Sequence, residues 1–314
     1  MSDVGLTHGT TASAATPEAS APAPAGTPGP SGAPRTTGTP GGGRAYARAR
    51  VVPNGVSRIW YETRTYFRLP DQVFFTFLFP VVMLGIFTAV FGDQEMTIGT
   101  TTIDMGAYYL PAMLAAGILL SGVQNLAIDI AERKSDGTLK RLGGTPLSPV
   151  SYFIGKIGEV FLTGVIQAGV LIAVAALVFG VDLPTEPEKW VRFVWVFVLG
   201  TAASALLGIA LSSVPRSGRS ASAVVVPILL VLQFISGVYV MFSSLPEWMQ
   251  NLASVFPLKW IAQAMRSVFL PDDFKALEPN ESWDLGWCAV VLLAWLVVGL
   301  VISRLTFRWI RKDT

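Results

Sequence analysis

Residues 129–146 mix charge closely: Asp129, Glu132 and Asp136 stand among Arg133, Lys134, Lys140 and Arg141, and the run stops at Gly143, Gly144 and Pro146. Such a stretch can form a short helix that its glycines and proline end. Leu139 and Leu142, three apart, share a helical face. A charged helix with a small apolar ridge suits docking into a groove on a soluble partner. A solvated loop that only fixes topology has the same residue types. A second set of polar residues, Gln124, Asn125, Gln167 and Gln233, falls inside apolar runs. Amides at that depth need partners or water, and so face other helices or line a pathway. Asp129 and Glu159 fall near the ends of such runs, where an ionised carboxylate at the surface needs no special environment.

Other chemistry is restricted by what the chain lacks. Cys288 is the single cysteine and His8 the single histidine. One cysteine excludes an internal disulfide framework and a multi-cysteine metal site, and in an apolar run it reads as a small apolar side chain. A six-span serine protease needs a base beside its nucleophile, and no histidine follows His8. A proton-coupled transporter needs titratable groups at mid-membrane, and nothing resembles the filter or charged ring of a channel. No catalytic residue and no metal site are expected.

The elements that position these residues are set by composition. The chain is 52% hydrophobic and 14% charged, with a mean hydropathy of +0.53; a soluble domain is about a quarter charged. The apolar residues lie in long runs, as crossing a bilayer requires. The predicted fold class is therefore all-α integral membrane, with six transmembrane helices at about 73–91, 107–128, 152–179, 190–213, 223–242 and 286–303. Residues 1–43 are rich in Pro, Ala, Gly and Thr and read as a disordered cytoplasmic tail. Residues 44–314 read as the six-span domain. Between Val56 and Leu69, Ile59, Trp60, Thr63, Tyr66 and Phe67 fall on one stripe, with Arg58, Glu62, Arg64 and Arg68 on the rest. That pattern predicts an N-terminal helix lying in the membrane interface. A short external helical hairpin is expected before the last span, where Leu258, Ile261, Met265 and Val268 share one face and Lys259, Gln263 and Arg266 the other.

The net charge of +2 gives no reason to expect a nucleic-acid partner. Placement of the basic residues gives orientation instead. With the N-terminus inside, cytoplasmic segments collect sixteen Lys and Arg against four outside. Both termini are expected in the cytoplasm of a multi-pass cell-membrane protein.

A resemblance sharpens this reading. Gly137, Thr138, Leu139, Leu142, Thr145 and Pro146, preceded by Glu132 and Arg133 and followed by Gly155 and Lys156, resemble the coupling segment of bacterial ABC type-2 exporter permeases, and most nearly those of the daunorubicin-resistance type. The similarity covers residues 50–314: an elbow helix, six spans, the basic loop after the second, and a long last external loop. It implies that Glu132, Arg133, Gly137, Thr138, Leu139, Leu142, Thr145 and Pro146 contact a separate ABC ATP-binding subunit. Lys140 stands where members often carry an acidic residue, and Gly143-Gly144 replaces what is often an apolar pair.

The resemblance further implies a homodimer, or pairing with a second permease, in the lipid bilayer. No cofactor is expected on this chain; ATP and Mg belong to the partner subunit, because no Gly-x-x-x-x-Gly-Lys-Ser/Thr motif occurs here. The implied activity is export of a hydrophobic or amphipathic compound, drug-like or lipid, by a chain that is not itself an enzyme. Export of glycan or glycolipid, or an immunity or sensing role without export, are the alternatives.

Overall fold

The computed structural model describes residues 51–91, 94–145, 147–215 and 217–306. The tail at 1–43, the basic residues Arg44, Arg48, Arg50, Arg216, Arg308, Arg311 and Lys312, and Pro146 of the coupling motif lie outside the described residues.

Helix α1, Val51–Tyr66, begins five residues earlier than the periodicity indicates, because Pro53 sits in the first turn, where no backbone donor is lost. Pro70 then starts α2, Pro70–Phe91. A two-stranded antiparallel hairpin not expected from the sequence follows, β1 Glu95–Ile98 and β2 Thr101–Asp104, with Glu95 opposite Asp104 and Ile98 opposite Thr101.

The second span is one helix, Met105–Ser135, in three parts. They are α3, Met105–Leu119, a π-helical segment, Leu120–Asn125, and α4, Leu126–Ser135. It runs well past the expected end at 128, so half of the charged loop is helical. Gly137 in the left-handed region (φ 78°) makes the turn into α5, Thr138–Gly143, a conformation costly for other residues.

Helices α6, Pro149–Leu177, α7, Pro187–Leu211, and α8, Gly218–Ile235, are the next three spans. Ser148 caps α6 by accepting from the Ser151 amide, and Ser217 and Ser220 form a capping box on α8. Helix α8 stops seven residues before its expected end. Two short helices, α9 Glu247–Ser254 and α10 Pro257–Phe269, precede the last span, α11 Leu285–Thr306.

Six helices are thus long and apolar enough to cross a membrane. They are not equally exposed. Every residue of α3 but Ala107 is buried, whereas α2 and α11 leave most of their apolar side chains on the outside. The second span is therefore the axis of the bundle, with α2, α6, α7 and α10 packed on it.

One expectation changes here. Helix α10 has no solvent face: Lys259, Gln263 and Arg266 are as buried as Leu258 and Ile261. Residues 270–284 cover that side, where Arg266 pairs with Glu278 and Gln263 donates to the carbonyls of Ser282 and Trp283 at 3.1 and 3.2 Å. Helix α1 turns one edge to the bundle. Gly55, Glu62, Thr63 and Tyr66 face inward while Trp60 and Tyr61 are exposed, because Glu62 has cations to meet on the neighbouring spans.

Candidate functional site

The contact between α1 and α6 builds the first part of the site. Gly155 and Gly158 on α6 let the two backbones come close: a Cβ at Gly158 would fall 2.4 Å from Ile59 Cδ1, and one at Gly155 2.8 Å from Arg58 Cγ. This seam carries Glu62 under the bundle, next to Lys156 on α6 and Arg133 on α4.

Six ionisable side chains, three basic and three acidic, meet there. Glu62 lies 2.9 Å from each of Arg58, Arg133 and Lys156. Asp129 lies 2.8 Å from both Arg133 and Lys156, and Glu159 3.6 Å from Lys156. Glu62, Lys156 and Glu159 are buried. Basic and acidic groups balance in number, which is the condition for keeping charge out of water. Arg58 also lies 5.3 Å from the centre of the Tyr152 ring. Glu159, expected at an open surface, is instead one of this set, because α1 and α4 close over it. The signal was present as charge on three segments, but sequence spacing alone does not bring residues 62, 129 and 156 together.

Just beyond the network stands the loop expected to contact a partner. Glu132, Lys140, Arg141 and Thr145 are exposed; Arg133, Gly137, Thr138 and Leu142 are half-buried. Arg133 is spent on Glu62 and Asp129. Leu139 is 1% exposed, packed with Ile130, Tyr152 and Leu206, and Leu142 lies against the same cluster. The apolar ridge thus seats the loop on its own spans. What it offers outward is the polar face of Glu132, Asp136, Lys140 and Arg141.

The four amides separate into two groups. Gln167 is spent on packing: it accepts from Ser121 at 2.9 Å and donates to the Thr76 carbonyl at 2.8 Å. Asn125 donates to the Thr76 hydroxyl at 2.7 Å and also lines a groove. Gln124 and Gln233 line the same groove, and the Tyr239 hydroxyl donates to Gln233 at 2.6 Å. This groove, about 410 Å³, opens sideways between α2, the π segment and α8. Phe75, Phe79, Leu120, Ile128, Val226 and Leu230 are its apolar wall, a volume and lining that suit a drug-sized molecule. Gln72 and Asn125 also wall a small polar cavity that reaches Glu62, Asp129 and Lys156, so the charge network and the groove share a partition.

At the opposite end, burial of Lys259 lowers its pKa from the ordinary value, and its ammonium lies 3.6 Å from the centre of the Trp260 ring. For Arg266 the cost of burial is outweighed by Glu278, which raises its pKa.

Known proteins place this architecture. The family model described as ABC-2 family transporter protein matches residues 104–303, from the start of the second span to the end of the sixth. The daunorubicin resistance ABC transporter permease protein DrrB1 of Streptomyces coeruleorubidus is 25% identical over 289 residues, 86% of this chain and 90% of that protein. The putative transport permease ycf38 of Porphyra purpurea is 22% identical, over 76% of this chain and 79% of its own length. The probable multidrug ABC transporter permease YbhR of Escherichia coli K12 is 20% identical over 58% of this chain, and the match spans about half, 49%, of that permease. With the family match extending across five of the six long apolar helices, this chain belongs to the ABC-2 transporter family and is a multi-pass membrane protein.

Proposed function

We propose that the chain is the permease subunit of an ATP-driven exporter, working with a separate ABC ATP-binding subunit that binds ATP and Mg. It moves a hydrophobic or amphipathic compound out of the cell, as two copies or with a second permease, and its termini are cytoplasmic. The observation that carries this reading is the second span itself. One helix bears the groove-lining Gln124 and Asn125 in its middle and the polar face of Glu132 and Asp136 at its end. Force applied to the loop by a partner therefore reaches the groove wall through a single element, stiffened at the base by the ion network. The names of the relatives support both the ABC partnership and drug export.

The test is charge reversal on the outward face, Lys140→Glu with Arg141→Glu, in vesicles that contain the chain and its ATPase. These residues are exposed, so folding should be unchanged within about 0.5 kcal/mol. We expect the ATPase to co-purify less and ATP-dependent export to fall at least tenfold. Normal co-purification and export in this variant would remove the loop as the coupling surface.

A further inference from the structure

We propose that the groove between α2, the π segment and α8 selects lipophilic cations, with Asp71 as the residue that reads the charge. The proposal rests on the groove being the cargo surface of the exporter and specifies which cargo it takes. Asp71 is the one charged residue in the lining among the described residues. It stands in the first turn of α2, is exposed, and has no ion-pair partner among the described residues. The other lining groups are neutral. Gln72 and Gln124 turn amides to the groove, and neither has a hydrogen bond within the chain among the described residues.

Polarity is ordered along the groove. Helices α2 and α8 run the same way and the second span runs against them, which puts Asp71, Gln72, Ile128 and Ser222 at one end, with Asn125 further in at the level of Thr76. From Asp71 to Phe79, eight residues of helix extend about 12 Å, and the middle of that length is Phe75, Val226 and Leu230. Tyr239 and Gln233 close the far end. A ligand that fits has an apolar aromatic body and a positive group displaced toward Asp71. Phe75 and Phe79 are in the lining, and a cation seated over either ring is attracted where an anion is not. An anionic amphipath of the same size would set its charge against Asp71, with no basic residue among the described lining residues to meet it.

Tetraphenylphosphonium and tetraphenylborate have nearly the same shape and opposite charge, so together they isolate the charge preference. Equilibrium dialysis of both ions on the purified full-length chain in neutral detergent, without ATPase or ATP, gives an affinity ratio. Comparing that ratio between variants cancels their different partition into the micelle. Asp71→Asn should weaken the cation about fivefold, the size of one charge contact near water, and strengthen the anion by a similar factor, so that the cation-to-anion ratio falls about 25-fold. Val226→Trp, which fills the middle of the groove, should weaken both ions together.

An unchanged ratio in Asp71→Asn overturns the proposal. So does unchanged binding of both ions in Val226→Trp, since the probe then sits elsewhere. A groove filled by a second copy would give no binding of either ion and a disulfide between copies carrying Val226→Cys in a Cys288→Ser background, which also overturns it. Because no ATPase is present, failure here leaves the exporter reading standing. Failure of the ATPase to associate would leave the cation preference intact.

Discussion

Lys156 holds three carboxylates, Glu62, Asp129 and Glu159, within ion-pair distance while itself 3% exposed. Its removal leaves buried negative charge without its cation, which costs about 3–5 kcal/mol. Lys156→Met should therefore lower the melting temperature of the purified protein by several degrees. Adding Glu62→Gln should recover part of the loss, because it removes one of the stranded charges. Equal melting of the single and double variants would mean that the groups do not act as one network. The charged residues of this site could be read singly in the sequence, and the residue types of the loop pointed to it. Their mutual burial could not, since α1, α4 and α6 meet only once the fold has formed.

At the scale of elements, the loop helix α5 is fastened by Leu139 rather than held out by it. Leu139→Asp would put a carboxylate among the apolar side chains of the cluster that holds Ile130, Tyr152 and Leu206. We expect α5 to come off its seat, so that limited proteolysis cuts near residue 140 at least tenfold faster while the spans stay intact. Cleavage at the unaltered rate would show that the burial of Leu139 does not hold the loop. The spans themselves were legible, since runs of apolar residues need only length and composition to be recognised. Helix ends were less so. Charged residues continue the second span to Ser135 because Asp129 and Arg133 find partners, and hydropathy does not register a partner. Helix α10 shows the same limit: its periodicity predicted a wet face, but Arg266 and Gln263 meet the segment that follows.

For the molecule as a whole, the network and loop lie at one end of the bundle and the hairpin with residues 243–284 at the other. Thr101 of the hairpin bonds Asp273 of that later segment. The proposed orientation, with the loop end in the cytoplasm, follows from basic-residue placement and can be tested. In a Cys288→Ser background, a cysteine at exposed Ala276 should be labelled from outside intact cells, and one at Asp136 only after permeabilisation. Labelling of both sites from one side would contradict six crossings.

The π segment at Leu120–Asn125 has a consequence for phase. An α-helix advances about 100° per residue, so a turn that holds one extra residue sets everything after it about 100° away from where a regular helix would. Asp129 and Arg133 therefore stand on a meridian of the rod about 100° from the one a regular α-helix would give them. Deleting a single residue from this segment would change no charge and little apolar area, yet it would swing Asp129 and Arg133 off Lys156 and Glu62 together. Spacing across residues 120–125 carries information that the identity of any one residue there does not.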